Sequence, residues 1–526
     1  MELVKKNIQH EQTKARAVLQ IPMEEDMNVP DSKPDVGQIL YARGRARIEE
    51  MKPGMNKVWV KGRLRYQILY FEDGMSSSVA SLEGECSFME EIYMESVESQ
   101  DRVVCEADLE DMRVNIINSR KLSIQALLTL RAQALQTRQE AVCVQLAETI
   151  TSSAQQKDKL EYRKKEFSYM ETIASKRDLL RIHEETKLPS GIDSIAEVIW
   201  KSADVRNVQF RLLDGKIGVN GEIIMFVMYK GGRDDKNNWH EAKLSFAGFV
   251  DCVECQEDML SDISFEVAHE DISVREDGDG EARIITADLT MELELKLWRP
   301  ETMQIVSDLY GVTCEVDCLT NRREYDRLFQ EVKMEEKMSY MLEPQGEDAK
   351  ILQICHYDAQ VTMDNSQLRE DEIHLAGVIT HRVLYLKNSE EISFGCMEEV
   401  QSFELVKPLS GVSAEMDFVL HPQIQQTQAT LREGNQVECR AVLSILMPIF
   451  MKQKEEMLCD MKIDRIADEK LENLPGMTIY FVKPGDTLWQ IGRKYYVSVN
   501  ELKEVNQLTS DEIYPGDKLL IVKSGS

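Results

Sequence analysis

The amino-acid sequence predicts a multidomain chain: three tandem mainly-β repeats with short helical linkers, followed by a small α+β (βααβ) module. Two observations carry that prediction. A set of landmark residues recurs three times, at a period of 159 and then 156 residues, and β-branched and aromatic residues crowd around each recurrence. The end of the chain carries instead the capping and turn signals of two short helices between two short strands. A length of 526 residues is in any case too great for one hydrophobic core.

Each repeat places a Gly eight residues before a Tyr: Gly62 and Tyr70, Gly221 and Tyr229, Gly377 and Tyr385. Upstream, Pro30, Pro189 and Pro344 precede the Gly by 32, 32 and 33 residues. Downstream, Phe88, Phe246 and Phe403 close a Glu-x4-Phe and follow the Tyr by 18, 17 and 18 residues. A period this long describes domains that each own a core, not the turns of a solenoid. The expected units are residues 1–150, 151–320 and 321–467. The residues before each Gly alternate apolar and polar, which is a strand pattern. A Gly inside a strand marks a bend, a bulge or a close approach by another group.

Each unit closes on a further strand, at Ile124–Leu130, Leu289–Leu297 and Val442–Phe450. In the second of these, Leu289, Met291, Leu293, Leu295 and Leu297 share one face. Glu292, Glu294 and Lys296 share the other and are expected to face solvent. Residues 155–187 and 321–341 are rich in Glu, Lys, Arg and Leu and read as short amphipathic helices ahead of the second and third units. A polar hinge at 468–476, ending in Pro475-Gly476, leads into the module at 477–526.

The net charge of -30 belongs wholly to residues 1–476. The segment Met477–Ser526 holds six Lys or Arg and six Asp or Glu and is neutral. An acidic body argues against nucleic acid as a partner, because such binding needs cations to displace counterions. It argues equally against docking on anionic lipid. No apolar run reaches the length of a membrane span, and the first residues lack the apolar core of an export signal. Eleven cysteines without a regular paired spacing suit reduced thiols in a cytoplasm.

Catalytic motifs are not found, so the expectation is a protein that is not an enzyme and takes no cofactor. The chain has no phosphate-cradling Gly loop, dinucleotide turn or H-E-x-x-H zinc helix. His374 and His381 flank Gly377 within a strand pair and read as packed imidazoles. Cys252, Cys255, Cys314 and Cys318 read as core thiols, with a four-thiolate zinc site as the alternative.

In the terminal module, Tyr480–Val482 is a strand and Pro484-Gly485 a turn. Asp486 or Thr487 caps a helix over Leu488–Tyr495. Ser498 and Glu501 form a capping box for a second helix over Val499–Val505, and Lys518–Val522 closes the module as a strand. This stretch resembles a LysM domain through Gly485-Asp-Thr-Leu-Trp489, Asn506 and Ile513-Tyr-Pro-Gly516. The resemblance implies a shallow groove between the first turn and the loop before the last strand, and an N-acetylglucosamine glycan as its usual ligand. The groove residues would be Gly485, Asp486, Thr487, Leu488, Ile513, Tyr514 and Pro515, with Trp489 either joining them or covering the module's core.

The repeats resemble the SPOCS (spore and coat) domain through Pro34-Asp35 with Ile39-Leu40, the Gly-to-Tyr core and Glu-x4-Phe. The second and third copies depart from the start, with Ile192-Asp193 and Glu347-Asp348. Three such domains followed by one LysM module is similar to a family of clostridial spore-coat morphogenetic proteins. That likeness implies a non-enzymatic adaptor in the mother-cell cytoplasm at the forespore surface, within the spore coat. Its partners would be the coat-basement morphogenetic ATPase, held by the LysM tail, and other coat proteins. The alternative is a peptidoglycan- or cortex-binding protein.

Overall fold

The computed structural model describes residues 2–75, 77–147, 159–233, 236–344, 350–388, 393–433, 435–467 and 475–522. The third repeat's Glu347-Asp348 start and residues 468–474 of the expected hinge lie outside the described residues. Repeat 1 comprises β1 (Glu2–Asn28), β2 (Val36–Gly54), β3 (Lys57–Glu72), β4 (Val79–Tyr93), β5 (Arg102–Asn118) and β6 (Lys121–Ala147). Repeat 2 runs through the same series as β7 (Leu160–Lys187), β8 (Ile195–Leu213), β9 (Lys216–Gly231), β10 (Asn237–Asp251), β11 (Leu260–Glu276) and β12 (Ala282–Gly311). Repeat 3 has β13 (Glu315–Leu342), β14 (Ile351–Arg369), β15 (Glu372–Lys387), β16 (Ser393–Pro408), the short β17 (Asp417–Phe418), β18 (His421–Leu431) and β19 (Val437–Asp464). Its first strand thus begins at Glu315, ahead of the expected start at 321.

Every repeat is a pair of antiparallel sheets around one core. In repeat 1 the sheets are ordered β2-β3-β4 and β1-β6-β5, and the other two repeats follow the same plan. Alternation puts Val58, Val60, Leu64, Tyr66, Ile68 and Tyr70 of β3 against Leu122, Ile124, Leu128 and Leu130 of β6. The landmark Gly lies on this inward face, and its register partner is the landmark Phe in all three repeats: Gly62 with Phe88, Gly221 with Phe246, Gly377 with Phe403. The Phe ring fills the space that a side chain on the Gly would occupy. A Cβ on Gly221 would stand 2.6 Å from two ring carbons of Phe246. The expected close approach is therefore made by a neighbouring aromatic ring. The landmark Tyr is buried in each repeat, and the hydroxyls of Tyr70 and Tyr229 donate to the carbonyls of Pro34 and Asp193 at 2.9 and 3.2 Å.

The expected helical linkers are strands. Residues 160–187 form β7, paired with β12 over its length, and residues 321–341 lie inside β13, paired with β19. Glu, Lys, Arg and Leu favour helix locally, but a full-length partner strand with its ladder of hydrogen bonds outweighs propensities worth tenths of a kcal/mol per residue. The long strands also reach beyond their own sandwiches. Ile8, Val142, Phe167, Tyr169, Ile305, Tyr325 and Met457 come from all three repeats and share one core.

The repeats close on each other cyclically. Strand β4 lies against β8, β10 against β14, and β16 against β2. Leu69, Met228 and Leu384 each stand one residue before the landmark Tyr, and all three are buried in a second shared core with Tyr41, Trp200 and Phe394. Charged pairs cross the same seams. Arg43 of repeat 1 donates to Asp204 of repeat 2 at 3.0 Å, and Arg206 of repeat 2 donates to Asp358 of repeat 3 at 2.7 Å. Burial opposes ionisation of Asp204, but Arg43, Arg206 and Arg45 outweigh it and hold the carboxyl well below its usual range. The outer face of β12 is also part of a seam, which corrects the expectation that it faces solvent. Arg47 pairs with Glu292 at 3.1 Å, and Lys296 pairs with Glu11 at 2.5 Å.

Two stability predictions follow from this packing. Gly221→Ala should cost about 2 kcal/mol by overpacking against Phe246, and Phe246→Leu in the same chain should restore part of the loss; urea denaturation measures both. The second concerns His381, which is fully buried in the core of repeat 3 and shares a 2.7 Å hydrogen bond with Tyr357. Burial pushes its imidazole pKa down to about 4. The unfolded chain takes up this proton nearer 6.5, so between these values the unfolded state binds more protons. The contribution is therefore whole above about pH 6.5 and is lost as pH falls toward about 4, a change of about 3 kcal/mol. His381→Gln should flatten that part of the stability–pH curve.

Candidate functional site

The terminal module folds as β20 (Met477–Phe481), α1 (Leu488–Tyr495), α2 (Val499–Asn506) and β21 (Lys518–Val522), with the two strands antiparallel. Thr487 caps α1 in a reciprocal box with Gln490, and Ser498 caps α2 with Glu501. Both helices end on a residue in the left-handed region, Tyr496 and Gln507. Val482, Leu488, Ile491, Val497, Leu502, Leu519 and Ile521 form the core.

Side chain–backbone bonds shape the two loops of the expected groove. The Asp486 carboxylate accepts from the Lys483 N–H at 2.8 Å and the Tyr480 hydroxyl at 2.7 Å, which together lower its pKa. Asp517 accepts from the Tyr514 N–H at 2.8 Å. The loops meet through the Val482 N–H to the Asp517 carbonyl at 2.9 Å and the Gly516 N–H to the Val482 carbonyl at 2.8 Å. Gly485, Thr487, Tyr514 and Pro515 are exposed, Asp486 and Ile513 are half-buried, and Leu488 belongs to the core. Tyr514 retains 65% of its surface, so its ring is open to a partner.

Trp489 has a different surrounding. It is 5% exposed and lies against the end of β12, within the contact between the module and the repeats. Its indole N–H donates to Asp308 at 2.7 Å, and the Arg163 guanidinium stands 4.4 Å over its ring. The Tyr310 ring meets it edge-on, with centroids 4.7 Å apart. The Tyr310 hydroxyl continues to the Val497 carbonyl at 2.9 Å. Around this centre, Lys159 pairs with Glu501 at 2.7 Å and the Tyr496 hydroxyl donates to Glu315 at 3.0 Å. A Cβ on Gly492 would stand 2.5 Å from the Tyr310 hydroxyl, so the helix approaches because that residue is Gly. Of the two sequence readings of Trp489, neither anticipated this cover from the repeats. Asp308, Tyr310 and Arg163 were not singled out at all, since no pattern in the chain marks which strand end receives the module.

The four cysteines of the zinc alternative do not converge. Cys252 and Cys255 pack in the core of repeat 2, while Cys314 lies between β12 and β13 and Cys318 lies in β13 beside the Leu309 carbonyl. Burial raises the thiol pKa values of Cys252, Cys255 and Cys318, which disfavours the thiolates that zinc requires. Among the described residues, no group of three or more His, Cys, Asp or Glu is placed to hold a metal ion. No helix among them is long and apolar enough to cross a membrane.

The seat around Trp489 can be tested without touching the module. Tyr310→Ala should leave the module folded but release it, so that the Trp489 indole N–H exchanges with solvent at least about tenfold faster by NMR.

Comparisons with known proteins match the two kinds of unit. The LysM domain family matches residues 480–522, and the family described as SipL, SPOCS domain matches residues 35–117, 194–275 and 350–432. An N-acetylmuramoyl-L-alanine amidase of Staphylococcus saprophyticus is 46% identical over 54 residues, which is 10% of this chain and 16% of the amidase. A probable N-acetylmuramidase of Lactococcus lactis is 49% identical over 49 residues, 9% of this chain and 11% of that protein. The cell wall-binding protein YocH of Bacillus subtilis is 55% identical over 40 residues, 8% of this chain and 14% of that protein. The amidase and muramidase are matched through the LysM region alone. No solved structure matches the chain.

Proposed function

This chain carries three SPOCS domains and one LysM domain, and from that premise we propose that it is a sporulation-associated adaptor that assembles the spore coat. The LysM tail docks on the coat-basement ATPase, and the three-repeat body offers surface to other coat proteins, at the forespore surface on the mother-cell side. Neither matched domain is a catalytic family, which is in keeping with a role in binding.

The observation that carries the reading is how the tail is presented. Its helix side is taken up by the body through Trp489, Arg493 and Glu501, while Gly485, Thr487, Tyr514 and Pro515 stay exposed. A tail fixed in this way loses little orientational freedom when its open side meets a large partner. An aromatic ring beside exposed backbone suits a protein surface, since Tyr supplies contact area at low conformational cost.

A second reading, binding of N-acetylglucosamine-containing glycan by the same loops, is favoured by the tail's likeness to a cell wall-binding protein, an N-acetylmuramoyl-L-alanine amidase and a probable N-acetylmuramidase. One variant of the full chain separates the two. Tyr514→Ala should keep the wild-type melting temperature and lose at least about tenfold in affinity for the purified ATPase. Sedimentation with peptidoglycan is measured alongside. Loss of sedimentation with unchanged ATPase binding would establish the glycan reading instead.

A further inference from the structure

Where the three repeats meet, the structure forms a partly open cavity of about 140 Å³, the size that takes a benzene-like ligand in other proteins. All three repeats line it: His10 and Glu106 from the first, Tyr169 and Asp262 from the second, Tyr325 and Asp326 from the third. Its position in the ring makes it a single site per chain.

The chemistry of the walls is one-sided. The two basic side chains in the lining are already engaged, Lys296 with Glu11 at 2.5 Å and Arg16 with Asp417 at 2.7 Å. Asp262 is held by His421 at 2.6 Å. Glu106 and Asp326 enter no ion pair among the described residues. Burial raises the pKa of Asp326 despite the nearby lysines, as expected of a carboxyl short of a close cation. Two further groups lack partners. His10 is 5% exposed and its Nε2 meets no donor or acceptor; Tyr169 is 2% exposed and the same holds for its hydroxyl. Burial lowers the pKa of His10, so the ring is neutral and can accept a hydrogen bond at Nε2. The Tyr325 ring packs 4.9 Å from the His10 ring and adds an aromatic wall.

An imidazole nitrogen, a phenol oxygen and two carboxylates can all accept hydrogen bonds. An anion would meet carboxylates, and an apolar guest would leave His10 and Tyr169 without partners. A guest that has only N–H donors and a positive charge answers every group at once, and an aromatic wall favours a cation with an apolar stem. We propose that this cavity binds a small organic cation, a primary alkylammonium or alkylguanidinium compound, through His10, Tyr169 and Asp326. Bound there, it bridges the three repeats and stabilises the closed ring.

Calorimetric titration of the full chain with n-butylammonium, 1,4-diaminobutane and agmatine tests this, with potassium chloride at matched ionic strength as the control. Saturable binding of at least one amine, one per chain, is expected, with a rise in melting temperature. Asp326→Asn should weaken it at least about tenfold and Tyr169→Phe several-fold. Should Asp326→Asn fail to fold, Tyr169→Phe decides. Absence of saturable heat with all three amines, or equal affinity in wild type and the folded variants, means that the cavity holds water alone and overturns the proposal.

Discussion

The constraint on which the rest of this structure depends is burial, on both faces, of the final residues of the central inner strand of each repeat, at 68–71, 225–229 and 383–386. One face of β3, β9 and β15 packs on its own sandwich, through alternate residues that include the landmark Gly and Tyr. The other face, at Leu69, Met228 and Leu384, packs in a core shared with the neighbouring repeats. A strand segment with two apolar faces needs a layer over each. Each repeat meets that need by closing the ring with the other two, and the shared core of the long strands grows from the same closure.

Charge works within this frame in a way that bulk composition conceals. The chain is strongly acidic, yet basic groups lie at the seams, where Arg43, Arg47 and Arg206 meet carboxylates of the next repeat. Buried pairs of this kind repay their desolvation only with good geometry, and their loss leaves a charge stranded. They therefore discriminate between the closed arrangement and slipped alternatives more than they add net stability. The acidic excess remains on the outside, where it favours solubility.

The tail illustrates how one helix can divide a small module's surface into two roles. Thr487 and Leu488 lie next to Trp489 in the chain, but the turn at the start of α1 leaves Thr487 exposed, sends Leu488 into the module's core and points Trp489 at Asp308 and Tyr310. The open loops and the seat are consequently on different parts of the same module. A binder held this way is carried as part of the body, and whatever it docks on is oriented relative to three repeats at once.

Much of this was legible in the chain itself. The threefold recurrence, the inward alternation of Leu289 to Leu297 and the caps at Thr487 and Ser498 are local signals: a period, a two-residue pattern and short-range hydrogen bonds. They determined the number of units, the core faces and the βααβ module. The tertiary structure alone decided what lay in residues 160–187 and 321–341, because a Glu- and Lys-rich segment takes the form its partner strand imposes. It also decided the cover over Leu69, the partners of Glu292 and the seat of Trp489. Each of these depends on groups about a hundred residues or more apart in the chain, and no spacing along the sequence encodes which distant surfaces will meet.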